Sequence, residues 1–380
     1  MRNQHIRRSI PKLVSEIQTR LDQCLAYMEE LGPPRHTDYA QYTLITSIAT
    51  KYSKMAENSL DGRYRNLPSD LRSRMLIRQK LERFQQILTD RGPAKPFRTD
   101  FKADGMRIGK LPLQEWAGTV MQIPIYEWIS QAIKTYRGNE LDGDVNPDVK
   151  DILFKKQIIN WTGMATDALN EIERAIESIN ASLFKEACPD SELRSRLRSW
   201  LAEDFGIASR EAKNELDRLF EDEITGHIST LHPYRRHNED LLKIERLVEL
   251  EVGLKTNPGI TRGTQEDRVA VIQKFLFDNP EIDRIWRTHD SLCSYYYVSM
   301  HRFIDNFALQ VVERHLLGPR GPLRLFSPQL VSERFYGEQN NAKLNELAGE
   351  HPNSTKKREV THVEIKSLEA CRKRLQSFQI

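Results

Sequence analysis

The stretch from 291 to 317 constrains the fold of this chain more than any other, because its twenty-seven residues include neither glycine nor proline. Within SLCSYYYVSMHRFIDNFALQVVERHLL, six large side chains recur at intervals of three or four residues, which places them on one face of a helix. They are Leu292, Tyr296, Met300, Phe303, Phe307 and Val311. Flanking residues widen this face, so we expect two neighbouring helices rather than one. Gly318-Pro319 then ends what the pattern predicts to be a core helix of a bundle.

Length, charge and cysteine spacing are those of a helix-rich cytoplasmic protein. The 380 residues indicate two or three domains, and a net charge of +3 argues against a nucleic-acid-binding protein. No apolar run reaches the roughly eighteen residues of a membrane span, and the basic N-terminus lacks the apolar segment of a secretory signal. Cys24, Cys188, Cys293 and Cys371 lie far apart and form no CxxC pair, which favours reduced thiols over a zinc site.

Long helices dominate the rest of the predicted structure. Asn146-Pro147 supplies the N-cap and first residue of a predicted helix of about forty residues, whose apolar side chains repeat near the coiled-coil period. Residues 90–114, rich in Gly and Pro, predict an irregular connection, and residues 232–263 predict a polar loop with a short helix at the tip of the bundle. Strand signals are nearly absent. The predicted fold class is therefore all-α, an elongated antiparallel helical bundle.

The amino-acid sequences of several segments resemble those of the stalk of dynamin-family proteins. Residues 291–319 resemble the opening of the family's effector domain, and LRLFSPQLVSERF at 323–335 fits its continuation. KMAENSLDGRY at 54–64 and YRGNELDG at 136–143 resemble the family's middle domain, although Asp142 stands where proline is common. The resemblance covers nearly the whole chain and is specific as a set. It implies a dynamin-type stalk built from the middle region and the effector domain.

The resemblance also divides the chain. It implies a middle region at 1–231, a stalk-tip region at 232–265 opened by His232-Pro233-Tyr234, and effector-domain helices at 266–380. The last helix, from about Lys356, would belong to a bundle that relays motion from a GTPase domain. We expect its apolar stripe, which includes Val360 and Val363, to be poorly covered in this chain.

Two surfaces become candidate functional sites through the resemblance. The loop at 137–143 corresponds to a loop through which dynamin stalks assemble, and its candidate residues are Arg137, Gly138, Glu140, Leu141 and Gly143. From chemistry alone, a glycine-flanked turn between helices explains this loop equally well. The tip corresponds to the place where dynamins contact lipid, and its candidate lipid-contacting residues are Arg235, Arg236, Lys243 and Arg262. Neighbouring acidic residues dilute that charge, so a solvated loop is the alternative.

The motif that dynamins use to hydrolyse GTP does not occur in the chain. A P-loop, G-x-x-x-x-G-K-[ST], wraps phosphates with backbone N–H groups and places a hydroxyl on Mg²⁺. The string from Gly105 to Leu111 is one residue short between its glycines and has leucine where the hydroxyl belongs. We therefore expect no catalytic, cofactor or metal site in this chain, with GTP and Mg²⁺ bound only by a G domain outside it. The chain would then be a fragment, a partial gene model or a truncated paralogue.

The predicted function is mechanical. The resemblance implies self-assembly into dimers and higher oligomers that remodel membranes in fission or trafficking, with microtubule binding known in some members of the family. The expected partners are other copies of the chain, full-length dynamin-like relatives and an anionic membrane surface, and no nucleic acid is expected. Two alternatives stay open: a helical interaction scaffold without a membrane role, and a regulatory paralogue that caps the assembly of full-length relatives.

Overall fold

All regular structure in the described part of the chain is helical. The computed structural model describes residues 2–30, 35, 37–65, 67–141, 143–257, 263–335, 337, 340–350 and 352–377. In chain order the α-helices are α1 (Arg2–Glu30), α2 (Asp38–Leu60), α3 (Ser73–Arg91), α4 (Lys102–Ile108), α5 (Leu113–Met121), α6 (Pro124–Thr135), α7 (Pro147–Gln157), α8 (Trp161–Ala187), α9 (Ser191–Thr225), α10 (Tyr234–Lys255), α11 (Gln265–Asp278), α12 (Pro280–Asn306), α13 (Pro322–Leu325), α14 (Pro328–Phe335), α15 (Asn341–Ala348) and α16 (Pro352–Ser377). The predicted all-α class is confirmed. None of the helices within these ranges combines the length and hydropathy needed to cross a bilayer.

Several helices begin where the sequence carries capping signals. The Asn146 side chain accepts a hydrogen bond from Asp148 N at the start of α7, with Pro147 in the first turn. Thr264 and Asp267 form a capping box at the start of α11. A 3₁₀ turn (Ser69–Leu71) precedes α3, and a π-helix (Phe307–Leu316) continues directly from α12. The predicted helix at 291–317 is therefore the later part of a longer helical run that begins at Pro280.

Three predicted element boundaries are wrong. The single long helix from Pro147 stops at Gln157 and restarts at Trp161. The pattern could not reveal this break because Ile158 and Trp161 are both buried, so the apolar period continues across it. Residues 90–114 are not wholly irregular, since they contain α4 and the first residues of α5. Residues 232–263 contain a helix of 22 residues, α10, where a polar loop with a short helix was expected.

The helices form two compact units, each assembled from separate stretches of the chain. The first unit comprises Met1–Asn58, Ala181–Glu203 and Arg324–Ile380, and the second comprises Ser59–Asn180 and Asp204–Leu323. The division of the chain at 231 and 265 concerns family organisation and stays a prediction, as does the elongated antiparallel arrangement.

The core of the second unit surrounds α12 and its π-helical continuation. All six residues of the 291–317 stripe are buried. Within this core the indole Nε1 of Trp161 donates a hydrogen bond to the Tyr296 hydroxyl at 3.0 Å, and the Trp161 ring centroid lies 5.2 Å from that of Phe303. The rings of Phe84 and Phe307 lie 4.7 Å apart. α12 packs against α3, α6, α7, α10 and α11, more neighbours than the two that were expected, which explains the breadth of its apolar face.

Two glycines allow α4 to lie directly against α10. A Cβ atom on Gly253 would lie 2.1 Å from the carbonyl oxygen of Gly105, and one on Gly105 would lie 2.4 Å from the carbonyl oxygen of Glu249. Both distances are too short for any side chain, so the two backbones are in contact. Gly105 belongs to the string that resembles a shortened P-loop. Its role in this structure is close helix packing.

The first unit has its own aromatic core. The ring centroids of Tyr52, Phe184 and Phe326 lie 4.7 to 5.4 Å from one another. In the same unit, the rings of Trp200 and Phe335 lie 5.1 Å apart. These side chains come from α2, α8, α9, α14 and the turn between α13 and α14, so the contacts between them join residues that are distant in sequence.

Helices α1 and α16 pack against each other within the first unit. Leu21, Cys24 and Ile365 are buried between them, with partly buried Ile17, Met28 and Leu368 around these three. The Arg20 Nε lies 2.8 Å from Glu364 Oε1 along the edge of this contact. Val360 and Val363 are 66% and 67% exposed, so this part of the expected stripe lies open. α16 thus buries the face that carries Ile365.

Candidate functional site

The loop between α6 and α7 is closed by its own polar groups. The Glu140 carboxylate accepts hydrogen bonds from Gly138 N at 2.8 and 3.1 Å. The Asn146 Nδ2 donates to the carbonyl of Tyr136 at 3.0 Å, which ties the two ends of the loop together. Gly143 has a φ of +100°, a conformation that favours glycine. Glu140 and Gly143 therefore shape the loop.

Arg137, Gly138 and Leu141 are the exposed members of the predicted loop set. Leu141 is 78% exposed. Arg137 is also exposed, and Asp142 lies outside the described residues. A small groove of about 170 Å³ beside the loop is lined by Arg137, Glu140 and Leu141 together with residues of α6 and α12. The loop thus presents one cation and one aliphatic side chain on a fixed backbone.

An ion pair fixes the base of the loop. Lys134 Nζ of α6 lies 2.9 Å from Glu281 Oε1 in the first turn of α12. The hydrogen bond from Lys134 lowers the pKa of Glu281, and this effect exceeds the opposing effect of burial. The contact joins the end of α6 to α12 close to the point where the loop begins.

A larger groove, of about 860 Å³, lies between α7, α12 and the segment that leads into α10. Asp151 of α7 pins that segment: its carboxylate accepts from Ile228 N at 3.0 Å and lies 2.5 Å from His227 Nδ1. The Tyr295 hydroxyl of α12 lies 3.3 Å from Ser229 N. Four carboxylates and four lysine or arginine cations line the groove together with His227, which gives the groove little preference for ligands of one charge. Its residues are Asp144, Asp148, Asp151, Glu239, Lys150, Arg235, Arg284 and Arg287.

Asp148, Asp151 and His227 are the residues that come closest to a metal-ligand set in the described part of the chain. Their ligand atoms all lie within 4.8 Å of one another. Asp and His side chains are ligands that Zn²⁺ accepts. The Asp151 carboxylate is already engaged by Ile228 N and His227, so its burial has a structural explanation, and we assign no metal here. The only sign of this cluster in the sequence is the three-residue spacing of Asp148 and Asp151. The sequence does not indicate that His227 lies beside them.

The basic residues of the predicted tip do not share one environment. Arg235 Nη1 lies 2.7 Å from Glu239 Oε2 one turn further along α10. Arg236 and Lys243 are exposed, and Arg262 lies outside the described residues. Two of the four candidate residues are therefore exposed cations in the structure, and one is held in an ion pair.

The inner face of α10 carries a buried charged cluster that the sequence did not indicate. Arg246 Nη1 donates to Asp290 Oδ2 of α12 at 2.7 Å, and a second hydrogen bond joins Nη2 to Oδ1. The guanidinium carbon lies 4.6 Å from the centroid of the Phe101 ring and 4.9 Å from that of Trp286. Arg246 and Asp290 are 44 residues apart, so only the fold brings them together.

His289 completes this cluster. Its Nε2 accepts a hydrogen bond from Arg98 N at 3.0 Å, while Nδ1 lies 2.9 Å from Asp290 Oδ1. Burial lowers the pKa of His289, and the hydrogen bond to Asp290 only partly opposes this effect. Burial alone would raise the pKa of Asp290, but the hydrogen bond from His289 and the charge of Arg246 hold it below its ordinary value. The cluster is therefore a neutral imidazole beside an ion pair.

The predicted functional residues fall into separate groups. The six residues of the effector helix form the core of the second unit and cannot meet a partner while it is folded. Among the described residues, Gly143 of the loop and Arg235 of the tip line the same groove of about 860 Å³, and the other loop and tip candidates do not line it.

The fold and the sequence together define the class of protein. The family described as the dynamin central region matches residues 2–240, and the chain belongs to the dynamin family. It contains the middle, or stalk, region of that family.

One relative of this chain is the interferon-induced GTP-binding protein Mx1 of Oncorhynchus mykiss. The two are 24% identical over 379 residues, which cover 98% of this chain and 52% of the relative. The chain thus spans about half the length of this relative.

Proposed function

We propose that the chain is the stalk and effector portion of a dynamin-like protein, and that it self-assembles through the loop at 137–143. The name of the Mx1 relative describes it as a GTP-binding protein. In a complete protein, GTP binding would belong to a G domain outside this chain. The assembled stalks would act on membranes, with the stiff helices transmitting motion from the G domain.

The observation that supports this proposal best is the form of the loop. A leucine held in solvent on a closed backbone loses little conformational freedom when it binds a partner, which favours a contact surface. Family membership then favours another copy of the chain as the partner.

Substitutions in the loop test self-assembly. We expect Leu141→Asp to remove the apolar contact and Glu140→Ala, combined with Gly138→Ala, to release the closed backbone. Each should weaken the contact by about tenfold or more, as central interface residues do. Multi-angle light scattering across a concentration series would show a loss of large assemblies, and circular dichroism would show unchanged helicity.

Ile159→Asp is the matched control for Leu141→Asp. Ile159 is an exposed aliphatic residue in the turn between α7 and α8, so the same charge is added to the same unit away from the loop. If Ile159→Asp reduced the assemblies as much as Leu141→Asp, or if neither did, the assignment of the loop would fail.

Vesicle binding separates the membrane role from the scaffold alternative. We expect the chain to co-sediment with phosphatidylserine-containing vesicles at low salt, and Arg236→Gln with Lys243→Gln to weaken this by about tenfold or more, at about 1 kcal/mol per charge. Lys366→Gln with Lys373→Gln removes two exposed charges from α16 and serves as the control. Vesicle binding that is absent, or that is equally affected by both pairs, would favour the interaction scaffold.

A further inference from the structure

The outward face of α10 exposes four aliphatic side chains in a line. Leu241, Ile244, Val248 and Val252 are 41%, 56%, 52% and 46% exposed. Their spacing of three, four and four residues places them on one side of the helix. The rest of the helix packs against α4, α11 and α12, with Arg246, Leu250 and Leu254 buried. We call these four exposed residues the α10 stripe.

Acidic residues border the α10 stripe on both sides. At about 100° per residue, Asp240 lies along one edge and Glu245 and Glu249 along the other, all within about 100° of its centre. None of the three takes part in an ion pair described in the structure. By the same geometry, the exposed cations Arg236 and Lys243 lie more than about 120° from the centre. Lys255 lies within about 30° of the stripe's centre, one turn beyond Val252, and the 3.4 Å contact of its Nζ with Glu251 Oε2 offsets its charge. The border of the stripe is therefore acidic.

This combination identifies the occupant by its chemistry. A row of aliphatic residues at i, i+3, i+7 and i+11 on α10 forms an apolar seam of the kind along which a second amphipathic helix packs. An acidic border favours lysine and arginine beside the apolar residues of that helix. We propose that the α10 stripe binds an amphipathic helix of another protein, with basic residues on both sides of its apolar face.

Two other occupants fit the charges less well. A bilayer with anionic headgroups would meet the acidic border and be repelled by it. A second copy of α10 packed by two-fold symmetry would place acidic edges together in both orientations. An antiparallel pair would bring the Glu245 edge against itself, and a parallel pair would bring it against Asp240. The proposal concerns a surface separate from the 137–143 loop and does not depend on self-assembly.

The test uses designed peptides and the complete chain. The probe is a fluorescein-labelled amphipathic helix of about five turns, with leucines at i, i+3, i+4 and i+7 and lysines on both flanks. A second peptide carries glutamates in place of the lysines. Fluorescence anisotropy should show that the chain binds the lysine peptide at least about tenfold more tightly than the glutamate peptide.

Substitutions then locate the contact. Ile244→Glu with Val248→Glu should abolish binding of the lysine peptide. Val360→Glu with Val363→Glu, which adds the same charges to an exposed face of α16, should leave it unchanged. Asp240→Lys with Glu245→Lys should reverse the preference between the two peptides. Thermal melts should remain close to that of the unmodified chain, since all these side chains are at the surface.

Three results would overturn the proposal. Equal binding of the two peptides, or a preference that the charge reversal leaves unchanged, would show that the acidic border does not select the partner. A smaller assembly of the Ile244→Glu, Val248→Glu variant in light scattering would identify the stripe as a contact between copies. Loss of vesicle binding in that variant would identify it as a membrane contact.

Discussion

Phe303→Asp is expected to prevent the second unit from folding. The Phe303 ring is buried beside Trp161, with 5.2 Å between their centroids. Removing a buried phenylalanine costs about 3–5 kcal/mol, and an unpaired carboxylate in its place costs several more. Together these costs approach the whole stability of a domain, about 5–15 kcal/mol. Circular dichroism and urea titration should show a loss of cooperative unfolding, and the variant should be largely insoluble.

Two variants distinguish the effect of burial from that of the substitution itself. Leu309→Asp introduces the same carboxylate six residues away at an exposed position in the π-helix, and should change stability by about 0.5 kcal/mol or less. Phe303→Leu keeps the site apolar and should cost about 1–2 kcal/mol. If Phe303→Asp folded as stably as Leu309→Asp, the 291–317 run would not be the core of this unit.

The prediction for Phe303 was available from the sequence because burial leaves a periodic signal. The six residues of the stripe recur on one helical face, and all six are buried. The break after Gln157 left no such signal, because Ile158 and Trp161 are buried on either side of it and extend the same period. The helix α4 was missed for a different reason. Gly105 was taken to disrupt structure, whereas it allows close contact between α4 and α10.

The candidate surfaces could be predicted only in part. The loop at 137–143 was recognised because its amino-acid sequence resembles a loop of the dynamin stalk. The inward turn of Glu140 and the exposure of Leu141 depend on hydrogen bonds that the sequence does not specify. The α10 stripe has a visible period, yet Leu250 and Leu254 on the other side of the helix have one too. The sequence cannot tell which of two apolar faces is buried. Arg246 and Asp290 were missed because charged residues are usually exposed, and their pairing joins separate helices.

The buried pair of Arg246 and Asp290 should show strong coupling in stability. Asp290→Leu leaves the Arg246 cation buried without its partner and should cost about 3–5 kcal/mol. The double variant Arg246→Met, Asp290→Leu removes both charges and should recover most of this loss, since replacing a buried pair with apolar residues is often neutral or stabilising by about 1–4 kcal/mol. Urea unfolding of the two single variants and the double variant would give the coupling energy. Additive losses would show that the two residues do not form a pair in solution.

The same cluster should make the second unit sensitive to acid. Because burial lowers the folded-state pKa of His289, the unfolded chain binds a proton first as the pH falls below about 6.5, and stability declines until the folded-state pKa is reached. The lowered pKa of Asp290 reduces the free energy of unfolding further at lower pH. The Asp290 carboxylate stabilises the fold fully above its ordinary pKa of 3.8, and this stabilisation disappears as the pH falls through the folded-state pKa. His289→Gln should reduce stability at pH 7.5 yet flatten its decline just below pH 6.5, by up to about 1.4 kcal/mol per pH unit. Urea midpoints measured from pH 7.5 to 4.5 test this directly. Parallel declines in the variant and the unmodified chain would mean that His289 does not carry the acid sensitivity.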